Sequence, residues 1–119
     1  MIEPVTLSIP YPPSANRLWR AVKGRNIKSQ AYRQWMAEAV LTIRAQRPRG
    51  IAGRYHLRVA ASAPDRRHRD IDNLSKALSD ALVQSGVIGD DHAAKSIFLE
   101  WTDTVVKGGA ITVQLEEAA

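Results

Sequence analysis

The stretch "DIDNLSKALSDALVQSG", Asp70 to Gly86, decides how this chain folds. Leu74, Ala77, Leu78, Ala81, Leu82 and Ser85 recur at helical spacing and predict the buried side of a helix. Asp72 stands where an N-cap belongs, and Gly86 stands where a helix stops. The segments on either side have the other period. Before the helix, Tyr55, Leu57, Val59 and Ala61 alternate with Arg54, His56, Arg58 and Ala60, and Pro64 ends the run. After it, Gly89-Asp90-Asp91 forms a turn, and Ile97, Leu99 and Trp101 alternate with Phe98, Glu100 and Thr102. The centre of the chain is therefore strand, helix, strand.

Working outward gives the remaining elements. Val5, Leu7 and Ile9 alternate with Thr6 and Ser8 until "PYPP", Pro10 to Pro13, stops the strand. From Ala31 to Arg47, Tyr32, Trp35, Met36, Ala39, Val40 and Ile43 share one helical face, and "RPRG" closes it. Trp35 and Met36 fall on that stripe and are assigned to the core. Between strand and helix, Ser14 to Ser29 is polar, basic and without clear period, which predicts a long loop suited to partner contact. At the end of the chain, Ile111, Val113 and Leu115 alternate after "KGG" at Lys107 to Gly109, predicting a hairpin with the preceding strand. The order is β-α-β-α-β-β. It predicts an α+β fold: one small domain over residues 1–119, with a mixed four-stranded sheet covered by two helices.

Composition narrows the function. The absence of cysteine rules out disulfides and thiolate-zinc sites. No apolar run approaches the ~20 residues that span a bilayer, so the expectation is a soluble cytoplasmic protein without a membrane partner. The net charge of +5 is unevenly spread. Residues 1–69 carry 14 Lys and Arg against 3 Asp and Glu, whereas residues 70–119 carry 3 against 9. That asymmetry points to a polyanion-binding surface from the first part and an acidic site from the second.

The two charges meet at "RRHRDIDNLS", Arg66 to Ser75. In an extended stretch, Asp70 and Asp72 project to the same side. Two such carboxylates suit Mg²⁺ or Mn²⁺, hard ions that take a few carboxylates and leave positions to phosphate. Lys76 lies one turn beyond Asp72 on the same helix face, where its ammonium would meet a phosphate oxygen. Asp90 or Asp91 offers a third acid, provided the topology brings that turn back. Each acid also has a structural explanation: Asp72 as an N-cap, Asp90 and Asp91 as turn formers, Asp70 as a loop acid beside Arg69. In combination, acids for a metal and Arg66, Arg67 and Arg69 for neighbouring phosphates describe a nuclease site. His68 is a weaker phosphate partner because imidazole is mostly neutral at pH 7.

With those residues in view, the chain resembles the RusA-type Holliday-junction resolvases. The resemblance rests on "PYPPSANRLWR", "PDRRHRDIDNLSKALSDAL", "GVIGDD" and the late "KGG", and it covers essentially the whole chain. It implies a homodimeric endonuclease that cuts four-way DNA junctions symmetrically with Mg²⁺, in DNA recombination and repair. It also implies Asp70, Asp72 and Asp91 as catalytic metal ligands, with Lys76 as their partner. Ala93 stands where the family pattern has Gln two positions after the Asp pair. Asn16, Arg17, Trp19 and Arg20 are assigned to a junction-contacting or dimer-adjacent segment, with Trp19 stacking on an unpaired base or making a core or dimer contact. One alternative is a noncatalytic basic DNA-binding module, which leaves Asp70, Asp72 and Lys76 without a purpose; another is a small dimeric interaction protein whose acids cap helices and balance charge, with neither DNA nor metal affinity.

Overall fold

A computed structural model describes residues 3–14, 19–22 and 25–119, with side chains for 3–14 and 29–119. The elements are β1 (Val5–Ile9), β2 (Trp19–Val22), β3 (Arg25–Lys28), α1 (Gln30–Ala45), β4 (Tyr55–Ser62), α2 (Ser75–Gln84), β5 (Ala94–Trp101) and β6 (Ala110–Glu117). Short 3-10 turns precede α2 and β5, at Ile71–Leu74 and Asp91–Ala93. Four strands form one mixed sheet in the order β1-β6-β4-β5.

The alternating residues become the sheet's inner face. Val5, Leu7 and Ile9 of β1, Tyr55, Leu57, Val59 and Ala61 of β4, and Ile111, Val113 and Leu115 of β6 are all buried. The helical stripes close over them: Tyr32, Trp35, Met36, Ala39 and Ile43 from α1, and Ala77, Leu78, Ala81 and Leu82 from α2. Trp35 and Met36 are core residues, as their spacing predicts. Ser29 caps α1 by accepting the backbone N–H of Tyr32 at 3.1 Å. Gln46, just past α1, satisfies both the N–H and the C=O of Ser8 at 2.8 and 2.7 Å, blunting the free edge of β1.

Three expectations change. The segment read as a loop from Ser14 to Ser29 contains an antiparallel ribbon, β2 with β3, paired from Trp19–Lys28 to Val22–Arg25. The last two strands are not a hairpin. β5 lies parallel to β4, and β6 lies antiparallel to β4 on its other side. The cause is the crossover: a strand returning after a covering helix lands parallel to the strand that preceded it. The β5–β6 connection therefore passes the end of β4. There Thr102 N–H donates to Ala61 O at 2.8 Å and Val106 N–H to Ala63 O at 3.0 Å, while the Ser62 and Thr102 hydroxyls meet at 2.7 Å. Asp72, finally, is not the N-cap of α2. It sits in the first turn of the 3-10 segment, and α2 starts at Ser75.

Candidate active site

The site is built where the chain leaves β4 and where it enters β5. After Pro64, the carboxylate of Asp65 gathers the next basic residues. It accepts the backbone N–H of Arg67 at 3.0 Å and the Arg67 guanidinium at 3.1 and 3.2 Å. It also takes a forked pair from Arg69, at 2.5 and 3.0 Å. Those hydrogen bonds, Arg69 first, hold the Asp65 carboxyl far below the usual carboxylate range. Arg67 and Arg69 are thus oriented by one acid, while Arg66 is exposed.

Asp70 follows in extended conformation, with φ −86° and ψ 122°, and its C=O receives the Asn73 N–H at 3.3 Å. It faces a groove of about 910 Å³, lined also by Tyr11, Trp35, Arg67, Arg69 and Asn73. Because the 3-10 turn begins at Ile71, the alternate-residue geometry does not extend from Asp70 to Asp72, which is exposed in the turn.

At the first turn of α2, Lys76 reaches out of its helix. Its Nζ lies 3.1 Å from Asp91 Oδ2 and 3.1 Å from Asp80 Oδ1. Asp80 and then Asp91 push the Lys76 ammonium further toward its charged form. The turn carrying Asp91 therefore comes back to Lys76 at the start of α2. Beside it, Asp90 Oδ1 accepts the His92 backbone N–H at 3.1 Å and meets His92 Nδ1 at 2.6 Å. The His92 contacts lower the Asp90 carboxyl to about 2 and raise the imidazole. Among the described residues, Asp90, Asp91 and His92 form one set whose ligand atoms all lie within 4.8 Å of each other. Asp70 and Asp72 do not belong to that set.

The remaining assignments stand apart. Asn16 and Arg17 lie outside the described residues, and so do the side chains of Trp19 and Arg20, whose backbone forms β2. Conversely, the sequence pattern alone does not single out Asp65, Asp80 and Tyr32. The i,i+4 spacing of Asp65 with Arg69, and of Lys76 with Asp80, is the available signal for two of them. Tyr32 donates its hydroxyl to Asp80 Oδ2 at 2.8 Å, a contact 48 residues apart in sequence that no local spacing announces.

A small α+β domain with a basic segment running into an acid- and lysine-bearing site is an arrangement to compare with known nucleases. The family model "Endodeoxyribonuclease RusA" matches residues 10–116, and the chain belongs to that family. Relatives named crossover junction endodeoxyribonuclease RusA occur in bacteria and in a phage. The protein from Escherichia coli strain K12 is 36% identical over 115 residues, covering 94% of this chain and 93% of its own. That from Shigella sonnei is 35% identical over the same shares. That from Enterobacteria phage 82 is 35% identical over 114 residues, covering 93% of this chain and 92% of its own.

Proposed function

We propose that this chain is a homodimeric cytoplasmic endonuclease that resolves four-way DNA junctions by paired, symmetrical cuts, using Mg²⁺ with Mn²⁺ as a substitute. Family membership supports the junction-resolving class. The observation that carries the site is the contact of Lys76 with Asp91 at 3.1 Å, which joins the start of α2 to the entry of β5. Two equivalent strands must be cut in a junction, so a two-fold dimer with one site per protomer matches the symmetry of the substrate.

The donor chemistry fits a hard divalent ion. Asp91 offers a carboxylate oxygen with Asp90 beside it, and Asp70 and Asp72, which lie outside that cluster, are the further carboxylates that the family resemblance assigns to the ion. These residues would hold the ion, which when bound supplies Lewis acidity at the scissile phosphate. Lys76 presents a fixed ammonium to the negative charge that develops on that phosphate. Arg66, Arg67 and Arg69 bind flanking phosphates, with Asp65 setting the direction of the last two. Asn16, Arg17 and Arg20 extend the contact along the junction. A noncatalytic DNA-binding module accounts for the arginines but not for a lysine held between two carboxylates.

The test is Lys76→Ala. Removing one fixed electrostatic group should lower single-turnover junction cleavage by at least about a hundredfold while junction binding persists. Lost binding with residual complexes cut at the normal rate would sink the assignment.

A further inference from the structure

Lys76 has two carboxylate partners, and they differ in how they are held. Asp91 opens a short turn and its side chain is 40% exposed. Asp80 is 19% exposed, faces α1 from the middle of α2, and divides its oxygens: Oδ2 accepts from Tyr32 and Oδ1 faces the Lys76 ammonium. Tyr32 is itself 1% exposed and stacks on Trp35 with ring centroids 5.9 Å apart. The Asp80 carboxylate is therefore fixed from the core, through α1, whereas at Asp91 the core reaches the backbone, whose C=O accepts the Tyr55 hydroxyl at 3.4 Å, and leaves the carboxylate to Lys76.

From this difference we infer that Asp80 is a positioning residue for cleavage, a core-anchored tether that keeps the Lys76 ammonium in the site whatever Asp91 is bound to. The inference rests on the proposed role of Lys76. Lys76 is 60% exposed, and a lysine of that exposure samples many rotamers unless something selects one. If Asp91 serves a cation, its oxygens attract Lys76 less, and Asp80 is the partner that remains. Packing alone does not require the charge. An asparagine oxygen at position 80 would accept the Tyr32 hydroxyl equally well and would be less costly to remove from water. A carboxylate there is explained by the ammonium it faces.

The experiment compares Asp80→Asn, Lys76→Ala and the double variant in single-turnover cleavage of a four-way junction, with junction affinity measured in EDTA and thermal melting followed for each. Asp80→Asn should slow cleavage roughly tenfold to a hundredfold, the effect of misplacing a catalytic group. Its affinity in EDTA should stay within about twofold and its melting within a few degrees, while the Lys76 ¹⁵Nζ resonance of metal-free protein shifts or broadens. In the Lys76→Ala background, Asp80→Asn should add nothing, because a residue acting through another is non-additive with it. Full-rate cleavage by Asp80→Asn beside a slow Lys76→Ala overturns the inference and leaves the functional reading intact. An equal loss in both backgrounds also overturns it, placing Asp80 in the fold. Normal cleavage by Lys76→Ala overturns the functional reading and this inference with it. If Asp80→Asn melts early, Tyr32→Phe serves instead, since it keeps the charge and frees the tether. Its smaller loss must again vanish without Lys76, and a loss that persists overturns the inference.

Discussion

Gly109 lets the β5–β6 connection press against Tyr11, which lines the groove that Asp70 faces, and replacing it by alanine should damage the fold by two separable routes. Its φ is +78°, where a side chain on an L-residue costs about 1 to 2 kcal/mol. An added Cβ would also lie 2.5 Å from Cγ and Cδ2 of Tyr11 and 2.7 Å from its Cβ, so that the ring or the connection must move. Overpacking of this kind costs about 1 to 3 kcal/mol. The sum, about 2 to 5 kcal/mol, is a large fraction of the ~5 to 15 kcal/mol that stabilises an ordinary domain. Gly108 separates the two routes. Its φ is +81°, but an added Cβ meets nothing within 4 Å, so Gly108→Ala should lose only the conformational part. Urea unfolding of the three proteins measures both, with a common slope expected. Equal losses for Gly108→Ala and Gly109→Ala would refute the reasoning, since they would mean that Tyr11 yields without cost. Because Tyr11 lines the groove with Asp70, Gly109→Ala should also weaken junction cleavage below its melting temperature.

Two further predictions follow the charges. Arg66→Ala should weaken junction binding and reduce the slope of log K against log salt by about one, as expected for one lost phosphate contact; an unchanged slope, measured by fluorescence anisotropy, would argue against that contact. All three tyrosines are raised above the ordinary phenol value, Tyr32 most, by burial first and in its case by Asp80 next. The neutral ring is thus favoured in the folded state, and the stability it contributes is complete below about pH 10 and lost as pH rises through the raised values. Absorbance at 295 nm should show the tyrosines titrating at higher pH in native protein than in denaturant, Tyr32 last; a native curve that overlays the denatured one would contradict the packing of these rings.

The parts of the fold legible from sequence are those where one face is buried. Val5 to Ile9, the α1 and α2 stripes, β4 and β6 each bury one periodic set, so period alone places them. β5 reads as a strand although it lies at the sheet edge, where Ile97 and Phe98 remain 44% and 51% exposed. Its partner was not legible, because the rule that neighbours in sequence pair in space competes with the parallel return that a covering helix imposes. The β2–β3 ribbon has strands of four residues, too short for alternation to stand out among arginines and lysines, and Gly24 is the available hint of a tight connection. At the site, residue type and spacing single out Lys76 and the acids, and Lys76 does meet Asp91. What spacing could not supply was the long-range part: Tyr32 reaching Asp80 across two helices, and the 3-10 turn that separates Asp72 from the direction of Asp70.

The most direct test of the proposed activity is cleavage of a synthetic mobile four-way junction in Mg²⁺ and in EDTA, with linear duplex of the same sequence and the Asp70→Asn variant alongside. Paired nicks at symmetry-related positions are predicted, requiring both Mg²⁺ and Asp70 and sparing the linear duplex. Tight junction binding without a cut, or equal cutting of the linear duplex, would contradict a junction-resolving endonuclease.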